Sequence, residues 1–482
     1  MLQSPAWRRS IRVLSWIVVA VSLVLIALTI RETEIGRPTA DSNQYLTVME
    51  SFAETGKARL EAHREPLYQW MIYAGMRPLW DRAPGFEEDA RHHVRWLVGV
   101  TQIGLFWLSV ALMTAFVARR GGVPAAAVLL LLVAADRYDY QWIATVMSEG
   151  PAKIAFMFGA LSLASFSISG GAWKAALGML LIGLCPVFRG PDLSVALAMA
   201  FGAGIYALLA CRGYVRVAGV AVSALFLVPA LLSIQLSGLL TGFYGLSPVS
   251  SWLLAGRVLS ITDPDVLIRA GVNREEVDAI ARKVYVGPPE TSWTTIPETN
   301  DLNLADGLNR RIYPTNHKPT FIAALAWQEK RDGRADDFVA CNILLKLASE
   351  AIKADPGPIF KTTMILWWEH ATIPLIRNLT DHSWRNRLRL IFYLSIVVAL
   401  GYFIWTARRG HPPAAWGWLA AATVFLPTYT LMSAIGQNYQ SKYGQHPYLF
   451  LGIMAFFAVF VSVVGRTDVR CDGAAERCPS PA

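Results

Sequence analysis

A carboxylate and a tyrosine follow the first apolar stretch of the chain at helical spacing. Asp41 and Tyr45 are four residues apart and so share one face of a helix, which Met49 and Phe52 continue. A carboxylate held in this way could accept a proton from a substrate hydroxyl. The order Thr39-Ala-Asp before a helix would equally allow Asp41 to be an N-cap. The residues alone leave both roles open.

Further polar groups stand beside later apolar stretches. They are His63-Arg64-Glu65-Pro66-Leu67-Tyr68, Ser148-Glu149, Cys185-Pro-Val-Phe-Arg189-Gly-Pro191-Asp192 and Gln440-Ser-Lys442-Tyr443-Gly-Gln-His446-Pro447. Arginine binds phosphate through a planar fork and lysine binds it as a point charge, so Arg64, Arg189 and Lys442 are candidate phosphate ligands. Basic residues at helix ends can also extend to lipid headgroups, and this alternative stays open.

Two acidic residues could serve as second carboxylates. Glu65 and Glu149 could orient Arg64 or an acceptor, or they could be solvated residues at helix starts. Asp41 with Glu149 could supply oxygen ligands to Mg²⁺ or Mn²⁺, but no ligand spacing demands a metal. We therefore assign no metal-binding residue. His446 could contact phosphate, although a lone interfacial histidine is more often structural.

The order of these groups resembles the outer loops of the GT-C superfamily of membrane glycosyltransferases. Most similar in pattern are the protein O-mannosyltransferases and the lipid A aminoarabinose transferases, which take a sugar from a polyprenyl-phosphate carrier. Gly190 separates arginine from proline where the family has Arg-Pro, and Lys442 stands where the family usually has arginine. The resemblance implies a GT-C-like helical arrangement, a metal-free reaction and Asp41 as the catalytic base. It implies that the substrate-binding residues are Tyr45, Arg64, Glu65, Tyr68, Glu149, Arg189, Lys442, Tyr443 and His446.

Composition places these groups on a membrane protein. The chain has 482 residues, of which 54% are hydrophobic and only 16% charged, and it contains 17 Trp. A soluble fold could not cover so much apolar surface with so few charges. The net charge of +9 comes mainly from Lys and Arg at the ends of apolar runs, which is typical of a polytopic membrane protein rather than a nucleic-acid binder. Five Cys without a C-x-x-C pair support neither a disulfide framework nor a zinc site.

About ten apolar stretches are long enough to be candidate spans, so we predict an all-α polytopic fold. They lie near 11–30, 96–118, 121–136, 150–170, 173–188, 192–211, 216–240, 388–406, 413–434 and 447–465. If all ten span, the arginines and lysines between them gather on the side that holds both termini. The positive-inside rule then makes both termini cytoplasmic and places the candidate site on the outer face. The family resemblance implies a bacterial-type inner membrane.

This topology divides the chain into four parts. Residues 1–240 form a first module of seven spans with an outer loop at 31–95, and 241–386 form an extracytoplasmic, mostly helical segment. Residues 387–465 add three spans, and 466–482 are a cytoplasmic tail. Within the outer segment, Asn273 reads as a helix start. We also predict an interfacial helix at 357–378 and an apolar stripe formed by Phe338, Cys341, Leu345, Ala348 and Ile352 up to Pro356.

The leading hypothesis is an inverting glycosyltransferase. It would move a sugar from a polyprenyl-phosphate donor to a hydroxyl of a glycolipid, polysaccharide or protein outside the cytoplasm, with no nucleic-acid partner. The sequence has no phosphate loop, no nucleophile elbow and no H-E-x-x-H motif. A secondary transporter is the main alternative, although the predicted spans hold almost no ionisable residues, and Asp136 and Asp139 are expected to pair locally with Arg137. A non-catalytic membrane assembly factor is the third.

Overall fold

The computed structural model describes residues 5–60, 65–80, 88–136, 140, 142–287, 319–364, 367, 390–406, 410–436 and 448–475. Side chains at 5–8, 40–41, 78–90, 433–436 and 466–475 lie outside this description. The helices are α1 (Pro5–Glu32), α2 (Ala40–Thr55), α3 (Pro66–Trp80), α4 (Glu88–Ala135), α5 (Glu149–Ser169), α6 (Ala172–Gly183), α7 (Cys185–Phe188), α8 (Leu193–Ala210), α9 (Gly213–Ser223), α10 (Val228–Thr241), α11 (Pro248–Ile261), α12 (Pro264–Arg269), α13 (Arg274–Glu276), α14 (Arg282–Val284), α15 (319–332), α16 (Asp337–Ala354), α17 (356–364), α18 (Leu390–Trp405), α19 (Pro413–Gly436) and α20 (Tyr448–Ala475).

The regular structure within these ranges is helical, and no strand occurs in them, as predicted. Six helical stretches are long and apolar enough to cross a membrane. They are Arg9–Glu32, Arg91–Ala135, Glu149–Ser169, Gly190–Ala210, Gly213–Thr241 and Tyr448–Gly465. Two shorter apolar stretches, Ala172–Phe188 and Leu390–Trp405, pack with them. The protein is therefore an all-α chain with several helices of membrane-spanning character.

Helix α4 is a hairpin of two antiparallel arms. Gly122 breaks it with a φ of 74°, a left-handed conformation that favours glycine, and Pro124 follows. The Trp107 ring stacks on Tyr140 at 5.4 Å, and the Tyr140 hydroxyl donates to the Val133 carbonyl at 2.9 Å. In an uninterrupted helix, Trp107 and Val133 would lie roughly 40 Å apart. The chain therefore reverses at Gly122, where the sequence predicts a turn between two stretches.

Small residues let the central helices approach closely. A Cβ added at Gly202 of α8 would lie 2.4 Å from the Gly417 carbonyl oxygen of α19, so the two backbones touch at this point. Close backbone approach at small residues is a common mode of packing between membrane helices. Helix α20 runs through the same core, and Leu449, Phe457 and Val461 on it are fully buried.

The segment predicted to lie outside, 241–386, has its own hydrophobic core, formed by α11, α12, the short helical segments between 274 and 284, α15 and α16. Asn273 caps α13 by accepting from the Glu275 amide at 2.8 Å, which confirms the predicted helix start. The predicted stripe on α16 is partly wrong. Ile352 is 38% exposed and Leu345 half-buried, while Ala340, Leu344, Leu347 and Ala351 face the core with Cys341 and Ala348.

The difference on α16 arises from helix packing. Helix α16 packs against α11, which selects a face rich in alanine, whereas the predicted stripe relied mostly on bulky residues. The helix ends at Ala354 before Pro356, as expected, but α17 begins again at that proline. Of the predicted interfacial helix at 357–378, only 357–364 and Trp367 are described. The Trp367 indole donates to the Pro427 carbonyl of α19 at 3.1 Å.

Candidate functional site

The start of α2 determines where Asp41 lies. Thr39 is the N-cap, because its hydroxyl accepts from the Ser42 amide at 2.9 Å and its own amide donates to the Ser42 hydroxyl at 2.8 Å. This reciprocal pair is a capping box. Asp41 is therefore in the first helical turn, and the N-cap interpretation of Asp41 is wrong. Its side chain lies outside the described part of the chain.

Tyr45, one turn after Asp41, opens a chain of buried polar contacts. The Tyr45 hydroxyl donates to Glu65 Oε2 at 2.5 Å, and both residues are buried. The ring of Tyr45 meets the ring of Tyr68 edge to face, with centroids 4.8 Å apart. Tyr68 in turn contacts the Phe188 ring next to Arg189. Helix α2 and the start of α3 thus bring three predicted site residues, Tyr45, Glu65 and Tyr68, together.

Gln102 of α4 connects this group to the loop before α5. With its Oε1 accepting from the Tyr68 hydroxyl at 2.5 Å, its Nε2 donates to the carbonyls of Ile143 and Thr145 at 2.8 and 3.0 Å. This amide orientation satisfies every polar atom in the contact. Burial raises the pKa of the Tyr68 phenol far above its usual range, so Tyr68 keeps its proton. A Cβ on Gly150 would come within 2.4 Å of the Gln102 amide, so an alanine there would force this amide to shift.

Arg189 lies among three acceptors contributed by three parts of the chain. Its Nε lies 3.4 Å from Glu149 Oε1, and its Nη1 lies 3.2 Å from Asp192 Oδ1 and donates to the Tyr429 hydroxyl at 3.2 Å. Arg189 is only 3% exposed and Asp192 is fully buried. Buried ions of this kind require paired charges, and the arrangement supplies them.

A second buried ion pair lies beside the first. Lys153 Nζ contacts Asp136 Oδ2 at 2.7 Å, and Lys153 has no exposed surface. Asp192 lies within electrostatic range of Lys153. Asp136 therefore pairs across the bundle with α5. The predicted local pairing with Arg137 involves a residue outside the described part of the chain.

Glu149 has a carboxylate oxygen that could accept a further hydrogen bond. It begins α5, it is 8% exposed, and its Oε2 is buried without a hydrogen-bond partner among the described residues. A buried carboxylate oxygen in that state is costly unless a donor reaches it. Glu149 Oε2 is therefore suited to accept a hydrogen bond from a bound molecule.

An apolar cavity of about 800 Å³ ends beside this cluster. Residues of α5, α6, α8, α9, α10 and α19 line it. At one end lie Leu67 and Val187, adjacent in the chain to Tyr68 and Phe188, and at the other end lies Cys211. Two further lining residues, Leu232 and Leu236, are exposed on α10, so the cavity opens onto the apolar exterior of this helix.

Five predicted substrate-binding residues come together in this cluster: Tyr45, Glu65, Tyr68, Glu149 and Arg189. Four other predicted residues lie outside the described part of the chain: Arg64, Lys442, Tyr443 and His446. No group of three or more His, Cys, Asp or Glu side chains within the described ranges could hold a metal ion.

The chain matches no protein-family model, no curated protein and no solved structure. Its function has therefore to be inferred from its own residues and their geometry. The buried charged cluster and the apolar cavity that ends beside it are the two features that bear on that inference.

Four residues of the cluster were given no role in the sequence analysis. Lys153 could have been found from the sequence, since a lysine inside an apolar stretch is expected to have a buried partner. Asp192 could also have been found, because it stands three residues after Arg189 and can reach the same place. Gln102 and Tyr429 could not, because uncharged polar side chains are common in membrane helices and their partners are distant in sequence.

Proposed function

We propose that this protein is a membrane glycosyltransferase of the GT-C type, which transfers a sugar from a polyprenyl-phosphate donor to an acceptor hydroxyl. The observation that carries the proposal is the juxtaposition of an apolar cavity open to lipid with a buried cluster of charged residues. Such a pair suits a ligand with a hydrocarbon tail and a polar head, since each part lies in the environment it prefers.

The reaction is an inverting displacement. The acceptor hydroxyl attacks the anomeric carbon as its proton passes to the Asp41 carboxylate. The bond between the anomeric carbon and the phosphate oxygen breaks on the opposite face, and polyprenyl phosphate leaves with the bonding electrons. Asp41 is available for this role because Thr39, not Asp41, caps α2.

The cavity is assigned to the prenyl tail of the donor. Its lining is almost wholly apolar, and its lateral opening past Leu232 and Leu236 allows a chain to enter from the bilayer. The end at Leu67 and Val187 then brings the head group to the charged cluster. The sequence predicts Arg64, Arg189 and Lys442 as candidate contacts of the donor phosphate, and Arg189 lies between two carboxylates in the structure.

The proposal includes a topology. We propose ten spans, both termini in the cytoplasm of a bacterial-type inner membrane, and the site on the outer face. The reversal at Gly122 supports two spans in α4, and the polar cluster gathers at the start of α5 and near the start of α8, in keeping with an interfacial site. The segment 241–386 then lies outside, where it is expected to help select a glycolipid, glycan or protein acceptor.

One observation favours a second candidate function. Asp136, Lys153, Asp192, Arg189 and Glu149 form a buried series of charges, and such series also occur in ion-coupled transporters. The cluster lies at helix ends rather than at the middle of the spans, which favours the transferase. A non-catalytic assembly factor is the remaining alternative.

Reconstitution separates these candidates. The full-length protein in nanodiscs is incubated with a panel of labelled polyprenyl-phosphate sugars and a cell-envelope acceptor extract. A transferase releases free polyprenyl phosphate and labels the acceptor. Counter-flow of a labelled solute in proteoliposomes, without release of polyprenyl phosphate, would instead identify a transporter. If the protein shows neither activity but still has its thermal unfolding transition, the assembly factor is the candidate that remains.

A further inference from the structure

The charges around Arg189 differ from those expected around a phosphate ligand. Its guanidinium faces Glu149 on one side and Asp192 on the other, at 3.4 and 3.2 Å. Two carboxylates therefore share one guanidinium. A phosphate brought to the same group would be repelled by both acids in a site from which water is largely excluded.

The charges around Arg189 alternate in sign through the bundle. Glu149 contacts Arg189, Arg189 contacts Asp192, Asp192 lies near Lys153, and Lys153 contacts Asp136. The series joins the second arm of α4, α5 and the turn before α8. A series of this kind fixes the position of each member, because moving one leaves its neighbour without a counter-charge.

The backbone and a hydrogen bond hold Arg189 still. It is extended, with a φ of −147°, between the four-residue helix α7 and the short turn Gly190–Asp192. Pro186 and Pro191 restrict the chain on both sides. From α19, the Tyr429 hydroxyl accepts a hydrogen bond from Nη1. Arg189 contacts Oε1 of Glu149, whose Oε2 is buried and has no hydrogen-bond partner among the described residues.

We propose that Arg189 is a positioning residue, which holds Glu149 by Oε1 so that Oε2 accepts a hydrogen bond from a substrate hydroxyl, and that Asp192, Lys153 and Tyr429 hold Arg189 in turn. This role rests on the proposed function, since it presumes a sugar-bearing substrate. It leaves the donor phosphate to cations other than Arg189.

The test separates lipid-phosphate binding from transfer. Polyprenyl phosphate in nanodiscs is titrated onto wild type, Arg189→Gln, Glu149→Gln and the double variant, and transfer from the active donor is measured on the same preparations. We expect the Kd for polyprenyl phosphate to stay within about twofold of wild type in all variants, whereas transfer falls at least about tenfold. The double variant should transfer no more slowly than the slower single variant, because both changes disable one unit.

Tyr429→Phe is the variant least expected to misfold, because it keeps every charge and removes only one hydroxyl. It should lower kcat several-fold with KM for the donor unchanged, and Asp192→Asn should act in the same direction. A rise of about tenfold or more in the polyprenyl phosphate Kd of Arg189→Gln, with Glu149→Gln and Tyr429→Phe unaffected, would overturn the role and make Arg189 a phosphate ligand. Wild type that binds no polyprenyl phosphate would overturn the proposed function, and the role of Arg189 with it.

Discussion

At the scale of single residues, the most consequential position is the first turn of α2. Thr39 and Asp41 are two residues apart, and the sequence allowed Asp41 to be the cap of this helix. The capping box between Thr39 and Ser42 assigns that role to Thr39. The two residues can therefore be changed separately, one to test stability and the other to test chemistry.

We predict that Asp41→Asn lowers transfer by about 10²–10⁴-fold with little change in stability, because it removes the general base but no cap. Thr39→Ala removes the cap but not the base. It should lower stability by about 1 kcal/mol and leave the transfer rate near that of wild type. Transfer rates and thermal unfolding of both variants check this. Normal transfer by Asp41→Asn would remove Asp41 from the mechanism.

Much of the candidate site can be predicted from local sequence patterns, but the contacts between its helices cannot. The spacing of Asp41 and Tyr45 predicts the buried face of α2, and Tyr45 and Met49 are buried on it. The ion pair between Lys153 and Asp136 depends on the approach of α4 to α5, which no local spacing encodes. The face of α16 was mispredicted for a related reason, since its neighbour α11 rather than the size of its own side chains decides which face is buried.

At the scale of elements, the close approach of α4 and α5 depends on Gly150. We predict that Gly150→Ala costs about 1–3 kcal/mol of stability, because the new Cβ would lie 2.4 Å from the Gln102 amide. Gly104→Ala on the same arm of α4 is the matched control. Nothing lies within 4 Å of a Cβ there, so it should be neutral or slightly stabilising.

Thermal unfolding of both variants in the same detergent checks this prediction, together with the transfer rate. Transfer should fall in Gly150→Ala because Gln102 holds the loop that leads to Glu149. Equal stability of the two glycine variants would mean that the amide of Gln102 is not packed against α5.

At the scale of the whole molecule, the first question is which side of the membrane holds the outer segment. We predict that single cysteines introduced near Asn300 and near Arg409 are accessible from opposite sides. Cys211, Cys471 and Cys478 are first replaced by serine. Native Cys185 and Cys341 should not react, because both are buried, and burial raises the pKa of the Cys341 thiol to about 12.

Labelling intact cells with a membrane-impermeant maleimide, before and after permeabilisation, gives the result. The cysteine near Asn300 should react in intact cells and the one near Arg409 only after permeabilisation. Reaction of both under the same condition would rule out the proposed topology.

The central claim is that the apolar cavity holds the prenyl chain of a lipid-linked donor whose sugar-bearing head lies near the charged cluster, and photo-crosslinking tests it most directly. Polyprenyl phosphate with a diazirine on its prenyl chain is irradiated with the protein in nanodiscs, and the labelled peptides are mapped. We predict labels on α6 and α10 that are suppressed by Ser233→Trp, which fills the cavity, but not by Leu231→Trp, which faces the lipid on the same helix. Labelling that is unchanged by Ser233→Trp, or that is spread over all lipid-facing helices, would contradict the account.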